Sequence, residues 1–362
     1  MKKKFLATMM MAVMAVSVTA CGSNNNNSGS KNDSKNPEVT DSAEGGDTTS
    51  KSDFKVSMVT DTGGVNDQSF NQSSWEGLQE FKEKTGTNVS YLESTQETDY
   101  TSNIDKQVDE GNNLVWGIGF AMADAILDAA EMNDDVNFAI VDNAYEDIPE
   151  NVTCVTFNAQ DSSFLVGYVA GLTTKTNSVG FVGGVGSAII DQFEYGYRAG
   201  VGYAAKELGK DIKVDVQYAD SFTDSAKGKA IATSMYSNGS DIVFHAAGGV
   251  GIGVIEAAVE ADKLVIGVDS DQSYLAPKNV LTSALKRVNV AVENISEKCM
   301  KGEKIGGQTF TYGLSDGGVG IPTENPNMDA KVYEKTMALQ DEIAAGKIVP
   351  PYNKDTFDAF NQ

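Results

Sequence analysis

From Phe54 onward the chain repeats one pattern: a short apolar run, a glycine- or acid-containing turn, then a helical period. The runs are "FKVSMVT" (54–60), "NVSYLE" (88–93), "LVWGIG" (114–119), "NFAIVD" (137–142), "VTCVTF" (152–157), "SVGFVGG" (178–184), "IKVDVQYA" (212–219), "DIVFHA" (241–246), "KLVIGVD" (263–269) and "VLTSAL" (280–285). Runs this short and this apolar, separated by helices, predict strands of parallel sheets covered on both faces. In the first intervening helix, Trp75, Leu78 and Phe81 recur at three-residue spacing and are assigned to packing on the sheet. An eight-stranded barrel is one solution. Ten strands with a polar break at "TTKTNS" (173–178) fit two open sheets better. With 362 residues, two domains are also what length predicts.

In open parallel sheets, solutes bind beyond the carboxyl ends of the strands, so the residues there carry the functional information. They are "DTGGVNDQSFN" after the first run, "GGVGSAIIDQF", "HAAGGVGIG", "GVDSDQ" and "SALKR". Glycine turns leading into helices bring backbone N–H groups close to a solute. Here they are accompanied by acids, aromatics and one lysine, which suits a neutral polyhydroxylated or heteroaromatic solute better than a phosphate. No GxSxG, GxxxxGK[ST] or complete GxGxxG is present. The single histidine, His245, excludes a His-rich metal site and is expected as a packed or cleft-edge imidazole. Cys154 and Cys299 lack metal or CxxC spacing and are expected as small buried side chains. No cofactor is expected.

The N-terminus sets the compartment. Lys2, Lys3 and Lys4 precede an apolar run from Phe5 to Val18 and the ending "VTAC". The run is too short for a bilayer span and reads as a secretory signal, residues 1–20. A cysteine at its end, Cys21, matches a bacterial lipobox, whose cysteine becomes the lipidated first residue. Residues 22–52 hold only Val39 and Ala43 as aliphatic side chains and cannot bury a core, so 21–52 reads as a lipidated tether with a reach of roughly 30 Å. Loss of the signal lysines takes the formal charge from −23 to −26, which disfavours nucleic acid.

The stretches "VTDTGGVNDQSFNQSSWEGL", "VGFVGGVGSAIIDQFEYGYRAGV", "GVDSDQ", "VLTSALKRV" and "YGLSDGGVGI" occur in one order over about 53–350. They resemble the basic membrane protein family of lipoproteins, which includes purine nucleoside receptors of ABC importers. The resemblance implies an α/β type I periplasmic-binding-protein fold: two Rossmann-like lobes with parallel sheets and a ligand cleft between them. Lobe 1 is expected over 53–175 plus about 283–320, and lobe 2 over 176–282 plus part of 321–362. It further implies a monomer that captures adenosine, guanosine or inosine for an ABC permease, on the extracytoplasmic face of a membrane to which lipid holds it. The long tether suggests a Gram-positive surface.

By this resemblance, Asp61 and Asp67 accept from base or ribose donors, with Asn71 beside them, and Phe70 stacks on the base, a core role near Phe81 being its alternative. Asp67 also reads as a helix N-cap. Phe193 opposes Phe70 or packs in the core, with Phe222 a weaker candidate because Asp224 after it caps the next helix. Asp269 accepts from both ribose hydroxyls. Lys286 donates to the ribose or forms a surface pair, Gly248 and Gly249 present N–H groups, and Asp142 faces the base or stands in a loop. A phosphate among these acids would be repelled, so nucleosides are expected over nucleotides. The same fold also hosts sugar and signalling-solute binders. A nucleoside-processing enzyme is the alternative from another class, although its acids would cluster around one calcium ion. An adhesin role is compatible with the acidic, tethered chain.

Overall fold

The computed structural model describes residues 53–361. The expected signal segment 1–20, Cys21 and the tether lie outside the described residues.

The ten expected strands are present, and two short ones join them. The first sheet holds β1 (Lys55–Thr60), β2 (Asn88–Leu92), β3 (Leu114–Ile118), β4 (Asn137–Val141) and β5 (Val152–Phe157), with helices α1 (Phe70–Thr85), α2 (Tyr100–Asp109) and α3 (Ala123–Met132) between them. After α4 (Ala159–Thr173) the second series runs β6 (Ser178–Gly183), α5 (Ala188–Leu208), β7 (Lys213–Tyr218), α6 (Ser225–Ser237), β8 (Ile242–Ala246), α7 (Val250–Ala261), β9 (Leu264–Asp269) and β10 (Val280–Lys286). Then come α8 (Val288–Met300), β11 (Gln308–Tyr312), β12 (Val319–Gly320), α9 (Ala330–Ala344) and α10 (Lys354–Phe360).

The sheets are ordered β2-β1-β3-β4-β5-β11 and β7-β6-β8-β9-β10-β12. Every pairing is parallel except β12 on β10. In both sheets the order reverses beside the first strand of the series, which creates a crevice at the strands' carboxyl ends. Two parallel sheets with helices between their strands make the expected two-lobed α/β fold.

The crossings between lobes fall elsewhere than the polar break suggests. Helix α4, expected in lobe 1, belongs to the second core: Phe164, Leu165, Val166 and Val169 are buried there with Phe181, Tyr197 and Phe244. The first crossing is therefore at Asn158, not 173–178. Strand β10 lies wholly in the second sheet, so the return to lobe 1 comes at Arg287 rather than about 283. Helix α8 then packs Val288, Val292 and Ile295 into the first core, where its Ser296 hydroxyl accepts from the indole N–H of buried Trp116 at 3.1 Å. A third crossing runs from β11 to β12.

Helices α4 and α5 touch backbone to backbone. A Cβ on Gly200 would stand 2.0 Å from the carbonyl oxygen of Phe164, and one on Gly167 2.2 Å from that of Tyr197. This contact explains why α4 shows no polar face: it is enclosed by its own lobe. Leu78 and Phe81 of α1 are buried as expected, while Trp75 is half-buried edge-on to Tyr91 at 4.8 Å. Cys154 and Cys299 are free thiols in the first core, and burial raises both above the ordinary range.

Candidate functional site

A cavity of about 250 Å³ opens between the carboxyl ends of the two sheets. Its size suits one small solute, below the roughly 300–1,000 Å³ of drug-sized pockets.

The lobe 1 wall is built by the turn between β1 and α1. Asp67 accepts from the backbone N–H groups of Ser69 at 2.9 Å, Asn71 at 2.8 Å and Gln72 at 3.1 Å. It thereby satisfies donors that the first helical turn leaves unpaired. Asn71 divides its side-chain amide between Asp61 at 2.7 Å and Asp67 at 2.9 Å. The Asp61 oxygen that accepts from Asn71 also takes the Gly63 N–H at 2.8 Å. Burial pushes the Asp61 carboxyl up to about 6 against these lowering hydrogen bonds. The Asn71 side-chain oxygen is buried with no hydrogen-bond partner among the described residues. Buried polar atoms are normally paired, which marks this acceptor as one suited to an incoming donor.

Strand ends supply the rest. Asp142, following β4, and Asp269, ending β9, each hold φ at 63°, a conformation rare for residues other than glycine and one that clusters at functional sites. Burial raises the Asp269 carboxyl to about 6, while the Lys286 amine and the Ser69 hydroxyl draw it down. Lys286, ending β10, is buried and donates to Asp142 across the lobes. Its amine lies 4.6 Å from the centre of the Phe70 ring and 5.3 Å from that of Phe157. On the lobe 2 wall stand Phe193, buried against Phe244 at 6.3 Å between centroids, and Phe222. Phe222 has room only because residue 184 is glycine: a Cβ there would fall 2.2 Å from its ring.

The crossings are tied to one another. Asn158 donates its N–H to Tyr312 O at 2.8 Å, and Arg287 donates to Gly318 O at 2.8 Å and from Nη1 to Gly317 O at 2.5 Å. Asp316 accepts from Gly313 and Gly318 N–H, each at 2.9 Å, which holds the third crossing in its turn. Among the described residues no cluster of His, Cys, Asp or Glu is arranged to hold a metal ion.

The family model described as "Bmp: ABC transporter substrate-binding protein PnrA-like" matches residues 54–354. The chain belongs to this family. It is 44% identical over 322 residues to the "ABC transporter nucleoside-binding protein BmpA" of Lactococcus lactis subsp. cremoris, covering 83% of this chain and 90% of that one. It is 41% identical to the "CD4+ T-cell-stimulating antigen" of Listeria innocua, over 97% of this chain and 99% of the relative. Identity to "Basic membrane protein A" of Borreliella afzelii is 41%, over 84% and 94%. In fold, the chain is similar to an ABC transporter solute-binding protein of Aeropyrum pernix K1, with a TM-score of 0.77 at 24% identity, covering 84% of this chain and 96% of that one. As a PnrA-like protein it is a substrate-binding component of an ABC transporter.

Within this PnrA-like cleft, Asp61, Asp67, Phe70, Asn71, Asp142, Phe193, Gly248, Asp269 and Lys286 all line the cavity. Gly249 does not; it stands one residue further along, at the N-terminal boundary of α7. Asp67 lines the wall with both carboxylate oxygens already engaged by α1. Lys286 is not a surface pair: it is buried, gives one of its three N–H donors to Asp142, and is flanked by two rings. His245 is fully buried in β8 and does not line the cavity; burial lowers its imidazole to about 4, against an opposing contact with Gln272. Sequence reasoning missed Tyr100, Phe120 and the acid Glu97, which also line the cavity. Glu97 and Tyr100 follow β2 in a run without glycine, whereas Phe120 stands directly after "GIG" (117–119), a glycine signal at a strand end that could have found it. Phe222 could have been ranked higher from its place directly after β7, where Asp224 caps α6 through the Lys227 N–H at 2.9 Å.

Proposed function

We propose that this substrate-binding protein captures a neutral purine nucleoside and delivers it unchanged to an ABC permease, acting as a monomer held by lipid on Cys21 at the extracytoplasmic face of a membrane. The observation that carries the nucleoside reading is the cavity's composition. Aromatic rings come from both lobes, Phe70 on one and Phe193 and Phe222 on the other, among five carboxylates and one amine. Rings accept the flat faces of a base. Asp61 and the unpaired Asn71 oxygen are acceptors for base donors, and Asp269 is an acceptor for ribose hydroxyls. With Lys286 already paired to Asp142, a phosphate would meet carboxylates without a free counter-charge. The Lactococcus relative is named a nucleoside-binding protein, which points the same way. The lipid anchor rests on the lipobox reading, and no helix among the described residues is long and apolar enough to cross a membrane.

Isothermal titration of the protein, stripped of carried-over solute by unfolding and refolding, tests the reading against adenosine, guanosine, inosine, cytidine, uridine, ribose and AMP. Tight binding of purine nucleosides with weak AMP and ribose is expected, with the nucleoside recovered intact. Binding of ribose or another sugar in their place would refute it. Phe70→Ala is expected to weaken all three purine nucleosides alike, by about 1–3 kcal/mol, the worth of a stacked ring. A loss confined to one purine would show that Phe70 reads an edge instead of stacking. Incorporation of labelled fatty acid that Cys21→Ser abolishes tests the anchor.

A further inference from the structure

The turn that builds the lobe 1 wall makes a second set of contacts, outside the cavity. Gln68 holds φ at 57°, in the left-handed region, where glycine would be accommodated with less strain. Its carbonyl oxygen accepts from Nε2 of Gln272 at 2.8 Å, and its side-chain oxygen accepts from the Tyr274 hydroxyl at 2.7 Å. Both partners belong to the other lobe, in a single 3-10 turn spanning Gln272–Tyr274 after β9. Gln272 is fixed there: its Oε1 accepts from Val268 N–H at 3.0 Å, and its own N–H donates to Ser283 at 3.2 Å. Tyr274 is 54% exposed, so its hydroxyl reaches Gln68 from the solvent edge of the cleft. None of Gln68, Gln272 and Tyr274 lines the cavity.

We propose that Gln68, Gln272 and Tyr274 form a latch that holds the lobes together and sets the rate at which the cleft releases any solute it has enclosed. The two hydrogen bonds join lobe to lobe between residues that do not themselves line the cavity, so opening must break them whatever the cavity contains. Their contribution is to the closed state alone, and it adds equally to the affinity of every ligand that requires closure. A glycine at position 68 would relieve the backbone but remove the acceptor for Tyr274, which accounts for a glutamine in a left-handed conformation.

The inference rests on the proposed reading of the chain as a solute-capturing receptor, to which it adds that the lobes separate to release the solute, and its test separates the two. In the full-length chain, Tyr274→Phe and Gln68→Ala each remove the side-chain bond, and Gln68→Glu keeps an acceptor for Tyr274. Release of inosine, adenosine and guanosine is followed by stopped flow, and lobe separation in the ligand-free chain by energy transfer between one fluorophore on each lobe. The expected result is release about three- to tenfold faster for all three nucleosides in the first two variants, with association changed less than about twofold and release restored in Gln68→Glu. Closed dwells of the ligand-free chain shorten in parallel. A loss selective for one nucleoside would make these residues part of solute recognition and overturn the latch, as would unchanged release rates. If no nucleoside binds, the nucleoside reading fails, and the dwell times decide the latch by themselves: closed dwells of wild-type length, or no closed state in the wild type, overturn it.

Discussion

Asp269→Ala is expected to lower purine nucleoside affinity by at least tenfold, and by about 100-fold if both carboxylate oxygens accept from ribose. Charge-assisted hydrogen bonds contribute about 1.5–3 kcal/mol each, and here the donors would be left in a buried cleft. The fold should survive, because Asp269 is held by Ser69 from the other lobe and not by its own core. The same residue predicts a pH dependence. Its carboxyl, raised by burial to about 6, must be ionised to accept from two hydroxyls. Affinity should therefore be level above about pH 7 and fall by at least roughly tenfold between pH 7 and 5, as this carboxylate, and Asp61 with it, takes up a proton. Stability of the ligand-free protein should move the other way. Asp61 and Asp269 both bind protons more tightly folded than unfolded, so their contribution is present below about pH 4 and is lost as pH rises through about 6. Calorimetric titration at pH 5, 6, 7 and 8 checks the first trend and thermal unfolding without ligand the second. Unchanged affinity of Asp269→Ala would remove the residue from the site, and a flat profile would show that its ionised form is not what binds.

Much of the site was legible because its signals are local. A strand ending in an acid, or in a glycine turn before a helix, occupies the carboxyl end of a parallel sheet whatever the remainder of the chain does. Asp61, Asp142, Gly248 and Asp269 reach the cavity wall on that ground alone. Less was legible where two segments distant in sequence share one residue. The pairing of Lys286 could not be read because its partner, Asp142, lies 144 positions away. Asp67 could be read as cap or ligand, and its acceptance from the Ser69, Asn71 and Gln72 N–H groups depends on how the turn folds. The misplaced first crossing has the same origin. From Ser162 onward α4 carries mostly small and apolar residues because α5, on the far side of the polar break, packs closely against it. The chain passes between lobes at Asn158, where neither glycine, proline nor a charge run punctuates the sequence. Strands β11 and β12 escaped notice because "QTFTY" is largely exposed and Val319–Gly320 is only two residues long.

That long-range pair carries the largest stability effect expected of a single side chain here. Lys286→Met keeps the aliphatic stem against Phe70 and Phe157 but removes the amine, leaving Asp142 buried beside Asp61, Asp67 and Asp269 with no counter-charge. Breaking a buried pair from one side costs about 3–5 kcal/mol, much of it the desolvated charge left behind. Urea unfolding at pH 7 should show a loss of that size. Asp142→Asn in the Lys286→Met background should recover most of it, since replacing both partners removes the stranded charge as well as the attraction. The variant should also displace the acid limb of binding to higher pH. The Lys286 amine is the foremost influence drawing the Asp269 carboxyl down, and without it that carboxyl rises further above about 6 and takes up its proton earlier on acidification. A stability loss under about 1 kcal/mol would mean that the pair is solvated in solution, where exposed ion pairs contribute little. A full loss with no recovery in the double variant would assign the role of Lys286 to the rings it covers and not to Asp142.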